Sequence, residues 1–388
     1  LRRFAQSSLE ANIVSTPEGS YLAAGAHQFR GFWTRDFCFA ARGLLSIGRD
    51  DVVRHQLTHL IRTRRSSDNV VARLLDCYPS MRRVVAHTIL RNVLPSPIKR
   101  FPFVRPLIAE HLGEHKTIAI DSNALVLRAV ADLQRRSPNQ EWLEKNRDGL
   151  QGVLQFCLDR TNGARELVTQ GRFEDWQDSV AREGKTLFVN AMFAVAFKDA
   201  QELGLRVPKE ADSFGRLIER TFWDADASIF RSHTELPVVS IDGNILMIIE
   251  KELQSGAHAG PRFYETLKRH PIWSKAEIPG AASDPDYPVD WISWTTKLVG
   301  LRHYHDRLLW SWLSGLAAKA AIISGDVVEA DRIFSKLEDM AKRDGAIAEV
   351  YDNEPGLPLT KRLLYESEMP FSWGSGCILE ALEARATR

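Results

Sequence analysis

The sequence predicts an all-α fold, on three observations. Apolar residues recur at three- and four-residue spacings through ten separate segments, the period of a helix with one buried face. The stretches between these segments are rich in turn residues, and only short pieces such as Val238–Ile241 read as strand. No linker rich in Gly, Ser or Pro interrupts the series, which predicts one domain over residues 1–388.

The elements follow in order. Phe37–Leu45 (FCFAARGLL) opens an apolar stripe and Asp51–Ile61 (DVVRHQLTHLI) repeats it. Ser122–Leu133 has the same period, with Ser122 placed to cap its start. Asp148–Leu158, Leu187–Leu203, Phe214–Thr221, Asn244–Leu253, Leu308–Ser324, Val327–Lys342 and Gly374–Ala386 continue it. Leu94–Pro106, Pro279–Pro288 and Asp352–Pro358 are turn-rich. About a dozen helices in 388 residues give units of roughly thirty residues. No repeat of solenoid type is visible. The period alone is compatible with a closed double ring of helices or with an irregular bundle.

Composition narrows the chemistry. Lysine and arginine exceed the acids by one (51 against 50), so no overall field favours nucleic acid or an anionic membrane. No apolar run approaches the roughly 20 residues that span a bilayer. Cys38, Cys77, Cys157 and Cys377 lie far apart without a CxxC pair, and read as buried thiols in a reducing compartment. The expectation is a cytoplasmic protein with no membrane partner and no cofactor. Histidine spacing offers no metal site, since there is no HExxH and His303 and His305 are only two apart.

The connections carry the functional signal. Gly31–Phe37 (GFWTRDF), Gly171–Gly184 (GRFEDWQDSVAREG), Asp290–Trp294 (DWISW) and Tyr365–Gly374 (YESEMPFSWG) combine tryptophan, arginine and carboxylates. Loops on a rigid scaffold are where binding groups concentrate. Aromatic faces stack on the apolar faces of pyranose rings, while carboxylates and arginine hydrogen-bond their hydroxyls. The loop set points to a small carbohydrate.

Three segments in order, Trp33-Thr34-Arg35-Asp36-Phe37, Trp176-Gln177-Asp178-Ser179 and Ala348-Glu349-Val350-Tyr351-Asp352, are similar to the six-hairpin glycosidase superfamily. Its members include neutral/alkaline invertases, glucoamylases and the glucosidase part of glycogen debranching enzymes. Ile120-Asp121-Ser122-Asn123-Ala124-Leu125 resembles the V-D-S-G-L of invertases, Gly184–Met192 their G-x-P-L-E-I-Q-A-L, and Trp176–Ser179 the W-M-D-A of debranching enzymes. Tyr304-His305-Asp306 with Trp310 resembles Y-H-N-G-x-x-W, and Glu349–Asp352 resembles E-Y-Y-D. The likeness runs from about residue 30 to 380. It implies an (α/α)6 toroid with long loops at one end and an inverting glycosidase acting on a small α-glucoside or oligosaccharide.

In that family the first segment grips the sugar, the middle loop supplies a general acid and the late glutamate a general base. Carried over, Asp178 is the acid and Glu349 the base, with Glu174 and Asp175 as alternatives for the acid in the same loop. Trp176 and Phe173 would give the acid a dry wall, and Glu174 or Asp175 a neighbouring like charge. Arg35 and Asp36 would pair and clasp hydroxyls. Asp121 would do the same or cap its helix. Trp33, Trp294, Trp310 and Trp373 are candidate stacking walls, and His305 a donor. Trp176, Gln177 and Tyr351 complete the expected sugar-binding set. Each position also has a structural reading: Trp310 and Trp312 as core, Glu349 as a surface carboxylate, Arg35–Asp36 as an ion pair.

Departures weigh against sucrose. Asn123-Ala124-Leu125-Val126 lacks the two tryptophans of D-S-G-L-W-W, and Asp178-Ser179-Val180-Ala181-Arg182 replaces D-R-R-M-G. A sucrose-cleaving enzyme, a sugar 2-epimerase using facing histidines on the same barrel, and a non-catalytic glucan-binding homologue remain the alternatives. The absence of DDxxD or DxDD argues against a terpene cyclase.

Overall fold

The computed structural model describes residues 1–77, 106–250, 253 and 261–388. All but the last residue of the Leu94–Pro106 stretch lies outside these, as do residues 251 and 252 of the helix expected over Asn244–Leu253. Fourteen α-helices occur among the described residues, with only short strands between them. The chain is helix-rich, consistent with an all-α toroid.

Six helices are buried around most of their circumference: Thr34–Ser46, Ser122–Arg136, Leu187–Glu202, Ile241–Ile249, Ser311–Ile323 and Ser372–Ala386. In Leu187–Glu202, for example, Phe188, Val189, Met192, Phe193, Val195 and Phe197 leave no solvent stripe, as a helix apolar all round requires. The six pack in a circuit, each against the next and the last against the first. Amphipathic helices lie outside them. Arg2–Asn12 packs on the 372–386 helix, Asp50–Arg62 on 34–46, Gln140–Asp159 on 122–136, Phe214–Phe222 on 187–202, and Val327–Asp344 on 311–323. Asp50–Arg62 buries Val52, Val53, Gln56, Leu57, Leu60 and Ile61 at helical spacing and gives its other face to water.

Two glycines let the circuit close. A Cβ on Gly43 would stand 2.6 Å from the Cα of Gly376, so the 34–46 and 372–386 backbones touch there. Gly43→Ala is expected to cost about 1–3 kcal/mol through overpacking, read as a lowered midpoint in thermal or denaturant unfolding. An unchanged midpoint would mean the two helices separate freely.

Charged side chains from five of the inner helices meet away from the helix starts, joined by Glu250 just past the end of Ile241–Ile249. Arg42 donates to Asp132 at 2.7 Å and to Glu380 at 2.8 Å. Lys319 reaches Glu380 at 2.5 Å, Arg128 bonds Glu250, and Arg135 bonds Asp132 at 3.1 Å and Asp199 at 2.5 Å.

The other ends are knitted by short antiparallel pairings that immediately precede inner helices. Phe32–Trp33 pairs with Leu74–Asp76, with Phe32 opposite Leu75. Val239–Ser240 pairs with Ser283–Asp284, and Leu309–Trp310 with Val350–Tyr351. Single bridges join Thr186 to His233 and Phe371 to Gly25. Loops distant in sequence therefore gather where the inner helices begin.

Two local expectations change. Ser122 is the first helical residue rather than the cap, and Asp121 holds the cap position without bonding its own helix. Cys38, Cys157 and Cys377 are buried thiols, whereas Cys77 is only half-buried. Among the described residues no helix is long and apolar enough to cross a membrane.

Candidate active site

A cavity of about 680 Å³ opens among the gathered loops, within the roughly 300–1,000 Å³ usual for ligand pockets. Trp33, Arg35, Asp36, Trp176, Asp178, Trp294, His305, Trp310, Glu349 and Trp373 all line it, from segments across the whole chain. Asp121, Gln177 and Tyr351 do not. Each is buried behind the wall. Asp121 accepts two bonds from Arg35, Gln177 donates to Asp242 at 3.3 Å, and the Tyr351 hydroxyl accepts the Ala348 N–H at 3.3 Å. Their position argues against direct sugar contact.

The expected Arg35–Asp36 pair does not form. Adjacent residues on a helix point in different directions, and the Arg35 fork meets Asp121 instead, at 2.9 Å through both Nε and Nη2. Asp36, in the first turn of its helix, is left facing the cavity. Burial pushes its carboxyl up to about 7 despite the opposing pull of Arg35.

Glu349 is 2% exposed. Tyr304 and Tyr365 donate hydroxyl hydrogen bonds to its two oxygens, the second at 2.7 Å, and the Glu368 N–H reaches it at 3.3 Å. Burial raises this carboxyl to about 7, while the two tyrosine donors hold it from rising further. A surface reading of Glu349 is thereby excluded.

Asp178 lies on the same cavity with its side chain 44% exposed. Phe173, Trp176 and Glu174 line the same cavity, and two cations stand closer by than the sequence suggests. Arg35 stands 3.7 Å away and Arg73 3.8 Å away. Asp175 is fully buried, bonded to Arg182 at 2.7 Å and Gln170 at 2.9 Å, and does not reach the cavity. Glu174 does line it, with its carboxylate accepting the Gly171 N–H at 2.7 Å. Of the three candidate carboxylates in this loop, Asp178 and Glu174 reach the cavity and Asp175 does not.

An aromatic floor supports these groups. Trp176 meets Trp310, Trp312 and Trp373 edge-on, with ring centres 5.4, 4.9 and 6.0 Å away. Its indole N–H is fixed by Asp242 at 2.5 Å. Trp312 is core, whereas Trp310 lines the cavity. His305 stacks on Trp310 and shares a 2.7 Å hydrogen bond between Nδ1 and Ser179. Burial holds its imidazole well below the usual range, so it is neutral. His303 lies off the cavity and bonds Asp306, so the two histidines do not face each other across a substrate.

Sequence reasoning missed Tyr304, Tyr365 and Arg73. The tyrosines stood inside quoted motifs, yet nothing there marks a hydroxyl aimed at Glu349. Arg73 comes from a short loop beside Leu74, and its guanidinium lies 4.9 Å above the Trp33 ring. Phe173, on the cavity wall, takes φ 62°, a left-handed conformation that costs a non-glycine residue roughly 1–2 kcal/mol.

No family model matches the sequence, and no curated protein matches it. Solved structures do. The chain is similar to a glycosidase variant in complex with glucose (TM-score 0.65, 14% identity, 99% of this chain and 96% of that one). It is equally similar to the GH63 mannosylglycerate hydrolase from Thermus thermophilus in complex with Tris (TM-score 0.65, 14% identity, all of both chains). The same hydrolase in complex with glucose gives a TM-score of 0.64 at 14% identity over 100% of this chain and 99% of that one. Over its whole described length, the chain has the fold of these glycosidases.

Proposed function

We propose that the chain is an inverting glycoside hydrolase of the six-hairpin superfamily, a single catalytic domain over residues 1–388 in which the helical circuit is the inner ring of an (α/α)6 toroid. The observation that carries this reading is Glu349, a buried carboxylate held by two tyrosine hydroxyls in the same cavity as Asp178. Asp178 protonates the glycosidic oxygen. Glu349 takes a proton from the water that attacks the opposite face of the sugar. Inversion needs the two carboxyls roughly 6.5–9.5 Å apart, leaving room for that water.

Trp33, Arg35, Asp36, Trp176, His305, Trp310 and Trp373 are the sugar-holding set in this reading. The glucose held by similar glycosidases supports a hexose in the pocket. A small α-glucoside or oligosaccharide is the proposed substrate. Incubation with α-glucosides, disaccharides and glycosylglycerates, followed by assay of released sugar, tests it. Cleavage of at least one is expected, and no release from any of them would overturn the reading.

The base assignment has its own signature. Glu349 must be ionised to accept a proton, so kcat/KM is expected to fall on the acid side with a limb near pH 7. Tyr304→Phe removes a donor that favours the anion. The limb should move to higher pH, with activity at pH 6 reduced several-fold more than at pH 9. A limb that stays in place would take the base role away from Glu349.

A further inference from the structure

The mouth of the cavity differs in character from its floor. Eight large apolar residues stand exposed among the described residues, and five of them, Val289, Trp294, Leu298, Leu363 and Leu364, fall in two segments. Single exposed apolar residues are ordinary, but a cluster at a concave site is not. Trp294 and Leu298 are each 67% exposed on the short Trp294–Leu298 helix, and Leu364 is 40% exposed at the turn of the 361–366 hairpin. All three line the cavity that holds Asp178 and Glu349. The two segments are neighbours, since a Cβ on Gly300 would stand 3.5 Å from the Arg362 side chain.

Three polar side chains in these segments are turned to partners within the protein. The Thr295 hydroxyl shares a 2.6 Å hydrogen bond with Ser293, Lys297 donates to the Val289 carbonyl at 3.3 Å, and Arg362 holds Asp352 at 2.6 and 3.0 Å. Leu298 and Leu364 offer the hydroxyls of a second sugar ring no hydrogen bond, whereas an apolar group would cover them. Together with room for more than one pyranose, this favours a leaving group that gains by quitting water.

We propose that the outer half of the cavity is an aglycone subsite for an apolar group, so that the substrate class is alkyl or aryl glycosides rather than glucan chains. The assignment rests on the hydrolase reading above and names the group on the far side of the cleaved bond. Trp294 stacks or covers that group, and Leu298 and Leu364 close on it.

The test is a series of methyl, butyl and hexyl α-D-glucopyranosides and the matching α-D-mannopyranosides, assayed for turnover with the whole chain and for binding by calorimetry. Each methylene that leaves water is worth about fourfold. With partial burial, kcat/KM and affinity are expected to rise about 10- to 100-fold from methyl to hexyl. In Leu298→Ser/Leu364→Ser the hexyl-to-methyl ratio should fall towards one. In Val328→Ser, an exposed position on the 327–344 helix, it should stay as in the parent. A flat series, or no binding by any member, overturns the subsite. Turnover with a flat series leaves hydrolysis standing, and graded binding without turnover overturns hydrolysis while supporting the subsite.

Discussion

Glu349→Gln and Asp178→Asn are each expected to lower kcat by about 10²–10⁴-fold, the range attached to a positioned general acid or base. The two should differ in a way that separates their roles. Glutamine at 349 keeps the volume and one acceptor for the tyrosine hydroxyls but cannot take a proton from water. Glycosides with good and poor leaving groups should therefore suffer alike. Asparagine at 178 cannot deliver a proton, so a substrate whose leaving group needs little protonation should be cut far better by Asp178→Asn than one whose leaving group needs it. Steady-state rates on matched glycosides, with circular dichroism to verify folding, check both. Parental rates in both variants would end the assignment. Parental rates in Asp178→Asn alone would transfer the acid role to Glu174, the other carboxylate of that loop on the cavity.

The second large effect is on stability, away from the starts of the inner helices. Glu380 is 6% exposed and accepts hydrogen bonds from both Arg42 and Lys319. Burial, the largest single influence, opposes its charge. The combined attraction of Lys319, Arg42 and Arg128 overcomes it and holds the carboxyl well below the usual glutamate range. Glu380→Leu leaves buried cations without their carboxylate. Breaking such a pair costs about 3–5 kcal/mol, or roughly 4–6 °C in Tm for a chain this long. Adding Lys319→Met should recover part of the loss, because exchanging both partners for apolar groups is often neutral. The pH dependence has a definite sign. A carboxyl lowered on folding contributes stability at pH above its unfolded value, near 4.5, and loses it as pH falls below that. The parent's extra stability over Glu380→Leu should therefore shrink in acid. An equal gap at pH 7 and pH 3 would contradict this.

Much of the helical framework was legible because an apolar period survives wherever a helix buries a simple apolar face. Arg2–Asn12 escaped because half of its buried face is polar, Ser8 and Asn12 beside Ala5 and Leu9. Pro261–Arg269 escaped because it opens on proline and carries only Phe263, Tyr264 and Leu267 among charged and polar residues (PRFYETLKR). The Gln140–Asp159 helix was read from its apolar second half only, since its first turns, QEWLEKNR, are mostly charged or polar. In the site, residue types were legible and partners were not. Arg35 and Asp36 are adjacent, yet the partner of Arg35 is Asp121, 86 positions away, reached because two inner helices are neighbours. Tyr304 and Tyr365 bond Glu349 from two separate loops. Side-chain direction and loop packing decide such pairings, and neither is written in a local motif.

The stereochemistry of the first product is the most direct measurement. Proton NMR of a cleaved α-glycoside during the first minutes, before mutarotation equilibrates the sugar, should show the β-anomer accumulating first. Early appearance of the α-anomer would contradict a water placed between Asp178 and Glu349 on opposite faces of the ring.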